Sequence, residues 1–382
     1  MIERSFYLEQ LSIALRRSPV TALLGPRQCG KTTLANMFGE GREAIRFDLE
    51  SLPDLRRLQN PELMLGSLQG IVILDEIQVM PELFNVLRIL VDRPENRARF
   101  LILGSASPGI IKNVSESLAG RIEFVELFGF DLKETGRDSW ERLWVRGGFP
   151  RSFLSSSDKD SVAWREGFIR TFLERDIPQL GITIPSASMR RFWMMLAHYH
   201  GQTWNASSLA RSMGLSDKTI RSYLDILTAT FMIRQLQPWH ENLGKRQVKA
   251  PKIYLRDSGL LHSLLSLPDI HSLSGHPGVG ASWEGFALEQ ILQALRPAEA
   301  FFWATHNGVE LDLFFLHQGR RFGVEIKFSE APKVTKSMRV ALDDLRLDHL
   351  WIIYPGLEAY PVHEKITILP LRDVSDLPRQ IK

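Results

Sequence analysis

Short apolar runs punctuate the first third of the chain. Val20–Leu24, Ala44–Phe47, Ile71–Leu74, Arg99–Leu103 and Ile122–Val125 are brief and β-prone, with helical patterns between several of them. Apolar strands alternating with helices predict an α/β core over residues 1–135, a parallel sheet covered on both faces. Residues 136–195 carry Trp, Arg and Phe at helical spacing and predict a helical extension. Within 196–268, Ala206–Met213 predicts a helix with Leu209 and Ala210 inward. Gly214 makes a turn there, and Ser216 caps a second helix running to about Thr228. Leu215, Ile220, Leu224 and Leu227 have core spacing, and Phe231–Leu236 reads as a following wing strand. That is a helix-turn-helix pattern with a wing. The stretch 269–281, rich in Gly, Ser, His and Pro, reads as a linker. Residues 282–382 return to mixed helix and strand.

The first strand runs into Gly25-Pro26-Arg27-Gln28-Cys29-Gly30-Lys31-Thr32, followed by Thr33 and a helix-compatible run to Met37. This is the phosphate-loop spacing in the strand–loop–helix context that it requires. Gly25 and Gly30 permit backbone conformations closed to other residues, so successive N–H groups turn inward on a phosphate. Lys31 reaches the β- and γ-phosphates, the Thr32 hydroxyl ligates magnesium, and the helix N-terminus adds partial positive charge. A nucleotide and Mg2+ are therefore the expected cofactors. Ile71–Leu74 ends in Asp75 and Glu76. Ligands of an open parallel sheet bind beyond the carboxyl ends of its strands. Asp75 is thus expected beside the magnesium, and Glu76 is expected to orient the attacking water. Ser105, ending another apolar strand, is a candidate contact to the γ-phosphate or the water. Arg121 is a candidate arginine finger or else a surface arginine.

These residues together resemble the AAA-type ATPases of bacteria and archaea. They resemble in particular a predicted family whose C-terminal half has long been labelled a domain of unknown function. Leu74-Asp75-Glu76-Ile77-Gln78, Leu103-Gly104-Ser105, Leu118-Ala119-Gly120-Arg121, Gly147-Gly148-Phe149-Pro150 and the run Pro251 to Leu261 carry the resemblance alongside the phosphate loop. It covers nearly the whole chain and implies a core sheet in AAA order with ATP as nucleotide. Cys29 stands where the resemblance leads us to expect a small aliphatic residue, and its alkylation is expected to block nucleotide binding.

Composition narrows the classes. A formal net charge of +3 over 382 residues is too small to imply nucleic-acid binding by itself. Basic residues are nevertheless grouped: Lys218 and Arg221 lie on the outward face of the second helix, and Lys245, Arg246, Lys249 and Lys252 follow. They are candidate phosphate contacts, or else solvated lysines on a unit that packs on the ATPase core and relays nucleotide state. The one cysteine excludes an intramolecular disulfide and a cysteine-rich metal site. The opening segment has no signal-peptide core, and no apolar run is long enough to span a bilayer. A cytoplasmic protein without membrane contact is expected.

The C-terminal region adds a second set. Asn307–Phe315 and Phe322–Lys327 read as neighbouring strands. Side chains alternate along a strand, so Glu310 shares a face with Asp312, and Glu325 with Lys327. Asp312, Glu325 and Lys327 can converge, with Glu284 added from a helix beginning near Trp283. Carboxylate oxygens suit magnesium or manganese, and a lysine can position water at a scissile phosphate. This arrangement resembles the restriction-endonuclease-like, PD-(D/E)xK superfamily, without the proline before Asp312. The resemblance implies metal ligands Glu284, Asp312 and Glu325 and a catalytic Lys327. Two readings stay open. One is an ATP-dependent enzyme that processes DNA. The other is an ATP-driven switch binding a protein or DNA partner through a non-cleaving domain. An Arg121 finger acting in trans calls for a homo-oligomer.

Overall fold

The computed structural model describes residues 2–105, 117–241 and 246–381, with the Ser105 side chain outside the described set. Lys245 also lies outside it. The chain divides into two compact units. The first comprises Met1–Gly129 with Ala229–Phe231, and the second Phe130–Thr228 with Met232–Lys382.

The first unit is a parallel five-stranded sheet of β1 (Val20–Gly25), β2 (Ala44–Asp48), β3 (Gln69–Asp75), β4 (Arg97–Ser105) and β5 (Ile122–Glu126), in the order β2-β3-β4-β1-β5. Helix α1 (Ser5–Arg17) packs against β5, and α2 (Lys31–Gly39) follows β1. Central β1 is buried along its whole length, which is why its residues read as an uninterrupted apolar run. One core cluster joins Val20, Ala22 and Leu24 of β1 to Val72 and Leu74 of β3 and to Leu83, Phe84, Leu87 and Leu90 of the helix Leu83–Val91.

The second unit holds one mixed nine-stranded sheet. Its strands are β6 (Gln202–Thr203), β7 (Ile233–Pro238), β8 (Lys252–Leu255), β9 (Ala300–Ala304), β10 (Glu310–His317), β11 (Arg320–Ile326), β12 (His349–Tyr354), β13 (Tyr360–His363) and β14 (Ile366–Pro370). Their order is β13-β14-β12-β11-β10-β9-β7-β8-β6. The helices Ala206–Met213 and Asp217–Ala229 lie where the sequence predicts them, with Gly214 left-handed at the turn and Ser216 Oγ accepting from Thr219 N at 3.1 Å. The strand after them does not end a separate unit. β7 pairs antiparallel with β8 on one side and parallel with β9 on the other, through Gln237↔Phe301 and Pro238↔Phe302.

The expected linker 269–281 is corrected. It contains the helix Ile270–Ser274, capped by Asp269 and burying Leu273, and the first turn of the helix Val279–Leu295. Its Gly and Pro content marks helix ends, not a tether.

Two of the resemblance motifs meet in this unit. Asp257 accepts from Leu260 N at 2.8 Å, capping the helix Ser258–Leu264, and from Gly148 N at 2.8 Å. A Cβ on Gly147 would lie 2.2 Å from Asp257 Oδ1, and one on Gly259 would lie 2.2 Å from Arg146 O. The Gly147–Pro150 and Arg256–Leu261 segments are therefore one packing joint. Burial raises the Asp257 pKa, partly offset by these backbone donors and by Arg165.

Two buried histidines complete the interior. His262 Nδ1 lies 3.1 Å from Val145 O and therefore donates to it. His262 Nε2 then accepts from Ser282 Oγ at 2.7 Å, and Ser282 Oγ accepts from Trp144 Nε1 at 3.0 Å. His200 Nδ1 accepts from Leu255 N at 3.0 Å. Burial lowers the His262 pKa to about 3 and the His200 pKa to about 4. Both fall below the unfolded value near 6.5. Their stabilisation is complete above that pH and is lost as pH falls, because the unfolded chain binds protons that the fold excludes. Denaturant titrations should show stability falling between pH 7 and pH 5, by up to about 1.4 kcal/mol per pH unit per histidine. A flat profile over that range would contradict the neutral buried imidazoles.

Candidate functional site

β1 ends at Gly25, where a Cβ would sit 2.1 Å from Leu127 O. Only glycine fits this approach. The loop then turns through Gln28 at φ +61° and Gly30 at φ +99° before α2 begins at Lys31. Pro26 and Cys29 are buried, Arg27 is half-buried, and Gln28 and Thr33 are exposed. Lys31 is buried, and its Nζ donates to Gly25 O at 3.0 Å and Pro26 O at 2.9 Å. The ammonium thus lies within the curve of the loop. Arg27 pairs with Glu50 at 3.7 Å. Cys29 is fully buried, and its thiol donates to Leu127 O at 3.5 Å. The thiol is therefore shielded from solvent reagents, and alkylation there requires the loop to open first.

Parallel strands bring their carboxyl ends to one edge, and there β3 delivers Asp75. Thr32 Oγ1 donates to Asp75 Oδ2 at 2.9 Å, and Glu76 N donates to Asp75 Oδ1 at 3.0 Å. Glu76 is held at φ +56° and accepts from Gln78 Nε2. A left-handed non-glycine residue costs energy and concentrates at functional sites. Ser105 ends β4 opposite Gly25 in the strand register.

Arg121 lies elsewhere. Its carbonyl accepts from Val20 N at 3.2 Å, so it sits at the start of β1, about 20 Å of strand away from the loop. It forms a two-pronged pair with Asp92 at 2.7 and 2.8 Å. A finger acting on its own chain's phosphates is excluded by this placement.

Sequence reasoning missed two arginines at this site. Arg46 on β2 donates to Asp75 Oδ2 at 2.7 Å and reaches Asn36 of α2 at 3.3 Å. Buried Arg4 donates to Cys29 O, Phe128 O and Gly129 O at 3.0–3.2 Å, pinning the loop to the segment after β5. The adjacency of β2 and β3 in AAA order is a signal that could have found Arg46. Nothing local marks Arg4.

The second unit brings its own set together. β10 and β11 pair antiparallel with Leu313 opposite Val324, and the β9–β10 register shifts between Leu311 and Phe314, beside Asp312. Such irregularities re-aim side chains. Asp312 Oδ2 accepts from Ile326 N at 2.8 Å, and Lys327 Nζ pairs with Glu325 Oε1 at 2.7 Å. Glu284 reaches the group from the helix Val279–Leu295. Gly285 lets that helix approach His200, whose Nε2 lies where a Cβ would intrude.

Lys252 corrects the sequence reading. It is not a solvated phosphate contact. It is a buried residue of β8 whose Nζ lies 3.1 Å from Glu284 Oε1, 3.7 Å from Asp312 Oδ1 and in contact with Glu310. Tyr254, two residues along the same strand, donates to Glu284 Oε1 at 2.5 Å. Burial opposes the Lys252 charge, but Tyr254 and the surrounding carboxylates outweigh it and hold the pKa well above the ordinary lysine value. Asp312 is pushed well above the carboxylate range by burial and by the charges of Glu325 and Glu284. Burial raises Glu325 as well, against the pull of Lys327. Lys218, Arg221, Arg246 and Lys249 are exposed.

A β1–loop–α2 unit with Thr32 bonded to Asp75, in a sheet ordered β2-β3-β4-β1-β5, is the arrangement of an AAA-type P-loop domain. Residues 17–136 match the model of an AAA domain, while 137–270 and 279–374 match two domains of unknown function, DUF8612 and DUF4143. The chain is similar in fold to the Walker-type ATPase of Pyrococcus abyssi. The two share 17% identity and a TM-score of 0.53, over 69% of this chain and 96% of that one. It is also 50% identical over 370 residues to two uncharacterised proteins, from Mycobacterium bovis and Mycobacterium tuberculosis. That match covers 97% of this chain and 84% of theirs. The chain belongs to the same family as these mycobacterial proteins.

Lys31→Ala should weaken binding of a fluorescent ATP analogue by at least about 100-fold, the order expected for losing a charge-assisted phosphate contact. Arg121→Ala should leave that affinity within about twofold. Equal loss in both variants would show that the placement of Arg121 away from the loop is misleading.

Proposed function

We propose that the chain is a magnesium-dependent ATPase whose second unit holds DNA and cuts a phosphodiester bond. The observation that carries the ATPase half is the Thr32–Asp75 hydrogen bond beside Lys31. It sets a hydroxyl and a carboxylate together as hard oxygen donors suited to magnesium. The backbone of Gly25, Pro26, Arg27, Gln28, Cys29, Gly30, Lys31, Thr32 and Thr33 would cradle the phosphates, with Lys31 countering their charge. Glu76 would orient the water that attacks the γ-phosphate, and Ser105 would contact that phosphate or the water. Bound magnesium would neutralise charge on the β- and γ-oxygens. Arg121 would act only on the nucleotide of a neighbouring subunit, in a homo-oligomer.

In the second unit, Glu284, Asp312 and Glu325 offer the donor chemistry of a divalent-cation site. Glu325 Oε2 is buried and has no hydrogen-bond partner among the described residues. Four carboxyl groups, Glu284, Glu310, Asp312 and Glu325, face the two ammonium groups of Lys252 and Lys327, and the raised Asp312 and Glu325 pKa values mark a surplus of acidic groups that the lysines do not fully ionise. A divalent cation would offset that surplus, and Lys327 would position the hydrolytic water. The winged-helix-like pair of helices, with exposed Lys218 and Arg221, and Arg246 and Lys249 beyond, would meet DNA phosphates.

One observation favours the alternative, a nucleotide-driven switch with a non-cleaving nuclease-like domain that binds DNA or a protein. Among the described residues, no three His, Cys, Asp or Glu side chains are arranged to hold a metal ion.

Glu76→Gln should bind ATP normally and hydrolyse it at least about 100-fold more slowly, measured by phosphate release. Asp312→Ala should abolish Mg2+- or Mn2+-dependent nicking of supercoiled plasmid while leaving ATP turnover intact. If the wild-type chain nicks nothing with either metal, the switch reading stands. Binding to duplex DNA should weaken steeply between 50 and 200 mM salt if phosphate contacts dominate.

A further inference from the structure

We infer that Lys252 is a resident counter-cation that competes with a divalent ion for the Glu284–Asp312 carboxylates, and so holds the second site closed to metal. The inference rests on the nuclease-like reading of that site and deepens it.

Three observations carry it. First, the ammonium contacts carboxylates from two different elements. Glu284 comes from the helix Val279–Leu295, and Glu310 and Asp312 come from β10. Two of these three are the residues proposed to bind the metal. Secondly, Lys252 cannot simply swing into water. Its side chain is 5% exposed, and it begins β8, paired to Thr203 of β6 and to Leu236 of β7. Thirdly, its positive charge does not complete the site. Glu325 Oε2 stays without a hydrogen-bond partner among the described residues, and four carboxyl groups face only two ammonium groups.

A monovalent ammonium and a divalent ion both neutralise buried carboxylates, and with the ammonium on Glu284 Oε1 and Asp312 Oδ1 a divalent ion at those oxygens would meet a like charge at close range. The residue that blocks the metal lies outside the Glu284, Asp312, Glu325-x-Lys327 pattern. It belongs to β8, which pairs with the strand after the helix-turn-helix pair. A shift of β8 along its neighbours would withdraw the ammonium and expose Glu284 and Asp312 together. Tyr254 would move with it, because both side chains leave the same face of the strand and share Glu284 Oε1.

The test is Mn2+ binding by the full chain, followed by calorimetry and by electron paramagnetic resonance. Wild type, Lys252→Met and Lys252→Gln are each compared with and without Asp312→Asn, so that any Mn2+ held at Thr32 and Asp75 is subtracted. The expected result is an Asp312-dependent Mn2+ affinity at least tenfold tighter in the Lys252 variants than in wild type. Mn2+ should also raise the melting temperature of those variants more than that of wild type. If a variant unfolds in EDTA, Mn2+ should restore its circular dichroism, since the divalent ion replaces the missing charge. A folded Lys252→Gln that binds Mn2+ no more tightly than wild type would overturn the inference and leave the metal reading intact. A variant that Mn2+ cannot refold would also overturn it. Absence of Asp312-dependent Mn2+ binding in every folded variant would overturn the inference together with the nuclease-like reading beneath it.

Discussion

A carboxylate withdrawn from water must be met by positive charge or by hydrogen-bond donors, and this demand organises both units. Asp75 meets Thr32, Arg46 and its neighbour's amide. Asp257 meets two backbone amides. Glu289 meets Arg234 and Arg256, which hold its pKa below the ordinary value although burial opposes them. Glu284 and Asp312 meet Lys252. Apart from the local amides of Glu76 and Leu260, these partners come from elsewhere in the chain and tie distant segments together.

The two candidate sites use this demand differently. At Asp75, the compensating groups include a hydroxyl and a partly exposed arginine, both of which can yield as a cation and phosphates arrive. At Asp312, the compensation is a buried lysine on a paired strand, and it falls short of the negative charge around it. The first arrangement suits repeated binding and release of nucleotide. The second holds its compensating charge on a strand paired at both edges.

The sequence read the first site well because its chemistry is local. Gly25, Gly30, Lys31 and Thr32 lie within eight residues, and each role follows from adjacency to one strand end and one helix start. Asp75 and Glu76 were legible for the same reason, as the end of an apolar strand. Arg121 was left open between a finger and a surface arginine, because only the strand order shows that an arginine just before a strand lies at the opposite edge of a parallel sheet from the phosphate loop. Lys252 was misread because a basic residue near other lysines looks solvated until its strand partners are known. Reading 269–281 as a linker failed because Gly and Pro mark helix ends as readily as tethers.

Strand periods, helix caps and the phosphate loop were written in the sequence, since each depends on residues a few positions apart. The positions of β1 to β5, to within two residues at each end, and the turn at Gly214 belong to that class. The tertiary structure alone decided that Arg46 reaches Asp75 and Arg4 the phosphate loop, that the strand after the helix-turn-helix pair continues into the C-terminal sheet, and that Lys252 stands among Glu284, Glu310 and Asp312. The reason is distance along the chain. Lys252 and Glu310 are 58 positions apart and Arg4 and Phe128 are 124 apart. No periodicity within a single element records which distant charge will lie against which.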